Sequence, residues 1–193
     1  MNFDTLTSHP WFATGLAALI ALTVALVLHR IGSLVLLRVT RPLPTVHLLV
    51  QAAVPAARCL LPLIALQGVW QAAPEDLPGI AGLRHLNALA LILSFTWLAL
   101  RMINGFADAV LARHPVEVAD NMQARRIHTQ TRVLSRTAMV IAGIIGAAMM
   151  LMTFPGARQV GASLLASAGV IGIVGGLAAK PVFSNLIAGV QIA

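Results

Sequence analysis

Long stretches without a charged residue recur along this chain of 193 residues, and they restrict its fold more than any other feature. A helix needs about 20 mostly apolar residues to cross a bilayer. Such stretches lie at Trp11–Leu28, Thr137–Ala157 and Gln159–Ala179, and arginines interrupt or bracket the others. Only 10% of the residues are charged, whereas soluble domains usually carry about 25%. The sequence therefore predicts an all-α integral membrane protein.

The lengths of these stretches predict five spanning helices and one short interfacial amphipathic helix after a proline break. We expect the spans near 11–36, 45–70, 84–106, 134–154 and 159–179, and the interfacial helix over 182–193. Residues 1–130 then contain three peripheral spans and a basic loop. Residues 131–193 contain the last two spans and the interfacial helix.

The arginines are unevenly distributed between the two sides of the predicted bundle. Positive residues near span ends favour the cytoplasm. Two connections on one side hold nine of the twelve arginines, namely Arg30, Arg38, Arg41, Arg101, Arg113, Arg125, Arg126, Arg132 and Arg136. This asymmetry predicts a multi-pass protein with its N-terminus outside and its C-terminus in the cytoplasm. It also accounts for the net charge of +7, so we expect no nucleic-acid partner.

Motifs for catalysis, cofactor binding and metal binding are missing from the sequence. The six histidines show neither HxxxH nor HExxH spacing, and the sequence has no phosphate-binding loop and no nucleophile elbow. We therefore expect a protein that is not an enzyme and that binds no cofactor and no metal ion.

Arg58 is the clearest ionisable residue within a predicted span, and it lies between Pro55 and Pro62. Charged residues at membrane depth are rare and often functional, so one interpretation makes Arg58 a lipid or gating contact. In the other, which we favour, Arg58 pairs with carbonyls that the prolines leave free, or extends to the interface. The scarcity of such groups argues against an ion-coupled transporter.

Glycines are concentrated in the last predicted span, where Gly169, Gly172, Gly175 and Gly176 lie within eight residues. Each glycine costs a helix interior about 1 kcal/mol, but small residues let membrane helices approach closely. Ala166 extends this small-residue face by helical spacing. An ordinary, tightly packed helix within one subunit would show the same pattern.

Bulky apolar residues follow a neighbouring stripe of the same span, notably Ile173 and Leu177. In a ring of identical helices the small faces would pack side by side, and these two residues would point to the axis. Rings of apolar side chains close a pore by excluding water.

The residues after this span complete a recognisable pattern. Lys180 and Pro181 end the span, and Ser184-Asn185-Leu186 with Gly189 follow on a segment too short to cross a bilayer. From Gly161 to Ala193 the sequence resembles the pore-lining helix of the small-conductance mechanosensitive channel family.

The resemblance implies roles for individual residues. Ile173 and Leu177 would form the hydrophobic gate, Lys180 and Pro181 the kink and inner mouth, and Asn185 and Gly189 the lower half-helix. Helix packing in the pore would involve Ala166, Gly169, Gly172, Val174 and Gly176. The sequence departs from the family at Val170 and Val174, where alanine is frequent, and at Pro181, where many members have glycine.

The resemblance also implies a mechanosensitive channel subunit of the bacterial inner membrane. Such a subunit would assemble into a ring-shaped homo-oligomer, a heptamer in that family, and would have membrane lipids as its other partner. The first three spans would be sensor-like and the fifth would line the pore. The family's cytoplasmic β-domain is absent up to Ala193, so we expect a fragment. The alternatives are a secondary transporter, another small-solute carrier, or a non-conducting anchor of a larger protein.

Overall fold

The computed structural model describes residues 10–113 and 122–192, with the backbone alone for residues 10, 123 and 181–192. All regular structure in these ranges is helical. The helices are α1 (Pro10–Val39), α2 (Pro44–Ala72), α3 (Ile80–Ala112), α4 (Met122–Met152) and α5 (Arg158–Ile192). Each of the five contains a segment long and apolar enough to cross a membrane. The prediction of an all-helical chain with five such segments is confirmed.

The helices extend beyond the predicted spans, and the first connection shows the difference best. Because α1 continues to Val39, Arg30 and Arg38 are helical and not part of a loop. The connection to α2 is short, and the Leu43 amide donates to the Thr40 carbonyl at 2.9 Å. Arginine is a good helix former with a long apolar stem, so its charge does not end a helix.

The basic segment before the fourth span is helical and continuous with it, since α4 begins at Met122. Its 31 residues correspond to about 46 Å at 1.5 Å per residue. A hydrocarbon core of about 30 Å cannot enclose that length in an untilted helix. The arginine-rich half, up to Arg136, is the part suited to lie outside it.

The last helix differs from the prediction at Pro181. The backbone remains helical from Arg158 to Ile192, so the predicted break and the separate interfacial helix over 182–193 are not confirmed. Proline lacks the N–H that would bond to the Leu177 carbonyl, but the hydrogen bonds on either side maintain the helix. Ala193 lies outside the described residues.

Within the first three helices, α2 packs against both α1 and α3. Pro55 and Pro62 lie inside α2 without ending it. Gly105 of α3 is the point of closest approach, since a methyl group added there would lie 2.5 Å from the Ala52 Cβ. Only glycine leaves room for the two backbones at this separation.

The connection between α2 and α3 carries a small apolar core. Ala73, Leu77 and Ile80 are buried there, and Trp11 and Trp70 pack against them. Gly79 has a φ of 84°, in the left-handed region that favours glycine. This turn starts α3 directly at Ile80.

The chain divides into two compact units, Met1–Gly146 and Ala147–Ala193. The first contains α1 to α3 and most of α4, and the second contains the end of α4 and all of α5. The expected functional division into residues 1–130 and 131–193 stays a prediction.

Candidate functional site

The start of α5, the helix with the predicted gate, is held by the end of α4 within the second unit. The amides of Thr153 and Phe154 donate to the carbonyls of Met150 and Leu151, each at 3.1 Å. A methyl group added at Gly161 would lie 2.6 Å from the Ala148 carbonyl oxygen. Gly161 therefore permits the close approach of the two helices beside this turn.

The glycines further along α5 are in a different situation. A methyl group added at Gly169, Gly172, Gly175 or Gly176 would meet nothing within 4 Å. Ala166, on the same small-residue face, is also exposed. In the described part of the chain, these small residues therefore make no close helix contact of the kind that Gly105 and Gly161 make.

The predicted gate residues lie on an equally open surface. Ile173 is 66% exposed, Leu177 is 67% exposed and Val174 is 60% exposed. Ile173 and Leu177 are four residues apart and therefore separated by about 40° around the helix. Gly161 and Leu165, which are less exposed, lie on a face about 80° or more away from Ile173. Large apolar side chains thus project from a helix face without a partner among the described residues.

Two serines on α5 satisfy their hydroxyl groups within the helix. Ser163 donates to the Gln159 carbonyl at 2.7 Å and Ser167 donates to the Ser163 carbonyl at 2.8 Å. Lys180 is exposed. The side chains of Pro181 and Asn185, and the surroundings of Gly189, lie outside the described residues.

Arg58 is exposed on α2. It lines a groove of about 450 Å³ together with His29, Arg30 and Ser33 of α1. The side chain thus borders a polar groove between α1 and α2. Neither interpretation of Arg58 from the sequence included this groove.

Polar contacts between α2 and α3 were missed by the sequence reasoning. Asn87 is 6% exposed, and its Nδ2 donates to Gln67 Oε1 at 2.6 Å and to the Leu63 carbonyl at 3.1 Å. Both side chains are amides within the predicted spans 45–70 and 84–106. That position was the available signal, because an amide in a span needs a partner.

Two arginines of α3 bind the backbone of α2. Arg84 donates from Nε to the Trp70 carbonyl at 2.8 Å and from Nη2 to the Ala73 carbonyl at 2.9 Å. The last carbonyls of a helix lack intrahelical donors, so Arg84 caps the C-terminus of α2. Arg101 donates to the Ala52 carbonyl at 3.1 Å. Both are structural contacts between neighbouring helices.

No group of three or more His, Cys, Asp or Glu side chains suited to hold a metal ion occurs in the ranges that the structure describes. Comparisons with models of protein families, with curated proteins and with solved structures find no match to this chain. Arguments about function therefore depend on the residues of the chain itself.

Proposed function

We propose that this chain is a subunit of a tension-gated, weakly selective channel, in which copies of α5 form a ring around the pore. The observation that carries the proposal is the open small-residue face of α5. Three glycines of the chain, Gly105, Gly146 and Gly161, already accommodate neighbouring atoms within the subunit. The four glycines of the α5 cluster accommodate none.

A second copy of the same helix is the partner that fits this face. Without a hydrophobic driving force between helices in lipid, close packing of small residues is a main source of their association. The ring gives each open glycine face a neighbouring α5 to pack against. If these glycines served packing inside one subunit, a neighbouring helix would lie against them. None of the described residues does so.

The gate follows from the same ring. With Ile173 and Leu177 directed to the axis, one helical turn apart, the subunits form two stacked apolar collars. An ion entering a narrow collar loses hydration and finds no polar group to replace it. Membrane tension then favours the state with the larger in-plane area, as a ligand favours the state that it prefers.

The region after Leu177 belongs to the proposal as well. The Leu177 carbonyl lacks the usual amide donor because residue 181 is proline, and this makes the helix easiest to bend there. In the assembled channel, residues 182–193 would lie along the inner interface, with Lys180 at the mouth and Asn185 and Gly189 on the lower half-helix. The resemblance to the small-conductance mechanosensitive family supports this arrangement.

Placement in a bacterial inner membrane, with the first three helices as lipid-facing sensors, completes the proposal. The arginine asymmetry supports an outside N-terminus. Single cysteines in a Cys59→Ser background test it with membrane-impermeant thiol reagents. Asp76→Cys should react from outside and Asp120→Cys only after the cytoplasmic face is opened. The opposite pattern would reverse the orientation.

The gate is tested with Leu177→Ser in the full-length protein, recorded in patches under controlled suction. Serine adds a hydroxyl that holds water in the collar, so the opening tension should fall or the channel should leak at rest. Ile173→Ser should act in the same direction and more weakly. Leu164→Ser is the matched control, because it lies about 140° from Leu177 around the helix.

The rival functions give different results in the same preparation. A secondary transporter would give saturable solute uptake without tension-evoked current, and a membrane anchor would give neither current nor a ring. Normal assembly of Leu177→Ser with wild-type opening tension would contradict the hydrophobic collar. Lower expression without altered gating would assign Leu177 to packing between helices.

A further inference from the structure

One face of the α1–α2 pair carries a groove that the channel proposal does not use. Near the connection between the helices it encloses about 680 Å³ and is lined by Leu34, Val35, Leu37, Arg38, Arg41, His47 and Gln51. The cavity at Arg58, of about 450 Å³, lies on the same face. Leu37 follows Arg30 by seven residues within α1, and Arg58 follows His47 by eleven within α2, and both spacings return to about the same side of a helix. We call the two cavities together the α1–α2 groove.

The groove is strongly cationic. Arg30, Arg38, Arg41 and Arg58 line it, and neither cavity has an acidic residue among the described residues that line it. Charges beside apolar spans are costly unless a counter-charge or water accompanies them. The positive dipole end of α2, which begins at Pro44, lies at the same end of the groove. The charge of the groove is therefore complementary to that of an anion supplied from outside the described chain.

Hydrogen bonds orient the histidine at the mouth of the groove. Gln51 Nε2 lies 3.0 Å from His47 Nε2, His47 Nδ1 lies 3.2 Å from Thr40 Oγ1, and Thr40 Oγ1 donates to the Leu36 carbonyl at 2.7 Å. These hydrogen bonds join Gln51, His47 and Thr40 in one chain. With His47 and Gln51 engaged with each other, the guanidinium groups of Arg38 and Arg41 are the donors left to bind a ligand.

The wall beside these arginines is apolar and accessible. Leu34 is 62% exposed and Val35 is 53% exposed, and both line the same cavity as Arg38. Arg38 is in the last turn of α1 and Arg41 is in the turn that follows it, and both line this cavity. Guanidinium groups bind phosphate through paired hydrogen bonds. A phosphate at the mouth with a hydrocarbon chain along Leu34 and Val35 matches both surfaces.

We propose that the α1–α2 groove binds one anionic phospholipid, with its phosphate between Arg38 and Arg41 and an acyl chain along Leu34 and Val35. The site does not depend on the pore proposed above, because it lies entirely on α1 and α2. A free phosphate would use the same arginines but would leave the apolar wall uncovered. A zwitterionic lipid would cover the wall but bring no net charge to the arginines.

The experiment is a lipid titration of the full chain in detergent, followed by native mass spectrometry. Phosphatidylglycerol, phosphatidylcholine with the same acyl chains, and inorganic phosphate are the three probes. The first bound phosphatidylglycerol should be retained at least about tenfold more tightly than phosphatidylcholine. Each basic group near a membrane surface is worth about 1 kcal/mol, so R38Q/R41Q should weaken this binding about 30-fold.

The matched control is R125Q/R126Q, which removes two adjacent exposed arginines from α4 and should leave the tight phosphatidylglycerol unchanged. If the charge-preserving variant R38K/R41K retains more of the affinity than R38Q/R41Q, loss of the fold does not explain the effect. Equal retention of the two lipids by the wild-type chain overturns the proposal, and so does an unaltered R38Q/R41Q. Binding of inorganic phosphate as tightly as the lipid rejects the lipid as occupant.

Discussion

Gly105 offers a direct test of how α2 and α3 are held together. In Gly105→Ala the new methyl carbon would lie 2.5 Å from the Ala52 Cβ, far inside ordinary contact distance. Ala52 has no further torsion by which to move its Cβ, so the backbones must separate. Overpacking of this kind costs about 1–3 kcal/mol, while alanine recovers about 1 kcal/mol of helix propensity.

Gly68→Ala on α2 is the matched control, because a methyl group there meets nothing within 4 Å. Both variants gain the same helix propensity, so the difference between them measures the overlap at Ala52 alone. For a chain of this size 1 kcal/mol corresponds to about 2–4 °C in Tm. In a fixed detergent, Gly105→Ala should therefore lose its folded elution peak about 2–12 °C below Gly68→Ala.

A second substitution makes the argument specific to one pair of atoms. Ala52→Gly removes the carbon that the new methyl group meets, and the remaining neighbours, the Leu48 carbonyl oxygen and the Leu49 Cα, lie at 3.6 and 3.8 Å. Ala52→Gly costs about 1 kcal/mol of helix propensity by itself, but it removes the overlap, so the combination should lose less Tm than the two single substitutions added together. Equal Tm values for Gly105→Ala and Gly68→Ala would refute the reasoning about close approach.

The polar contacts of α3 give the remaining predictions, measured by the same elution assay. Arg84→Gln removes the charged cap from the Trp70 and Ala73 carbonyls. It should lower the stability by about 1.5–3 kcal/mol, as the loss of hydrogen bonds to charged groups does. A loss of stability no larger than that of exposed Arg125→Gln would contradict the capping role. Asn87→Ala should cost about 1–3 kcal/mol because Gln67 is left unpaired. Combined with Gln67→Ala it should show a coupling of about 0.6 kcal/mol and at most about 1.7, as double-mutant cycles in membrane helices do. Strict additivity of the two losses would show that Asn87 and Gln67 do not stabilise each other.

The membrane spans could be predicted from the sequence because length and apolarity are local properties. The packing of one helix against another is not a local property, as Gly105 and Gly172 show. Both are glycines within apolar helices, yet one packs against Ala52 and the other faces open space. The difference depends on which helix lies opposite, and a single sequence does not contain that information.

The arginines show a related limit. Arg30 and Arg38 lie within α1, although the charge pattern placed them in a connection, because a positive charge indicates a side of the membrane and not the end of a helix. The partners of Arg84 and Arg101 lie at least eleven residues away along the chain. The break predicted at Pro181 relied on a local rule and is not confirmed, because the backbone is helical from Arg158 to Ile192.

The hydrogen bonds from α3 to α2 also determine how these helices can move. They are anchored at Arg84, Asn87 and Arg101, positions that extend over about 26 Å of α3 at 1.5 Å per residue. A slip of one residue would displace each donor by about 1.5 Å along the axis relative to its acceptor and would distort bonds that are now 2.6–3.1 Å long. The two helices therefore resist shear along their common axis. They should therefore move together as a pair when the surrounding helices rearrange.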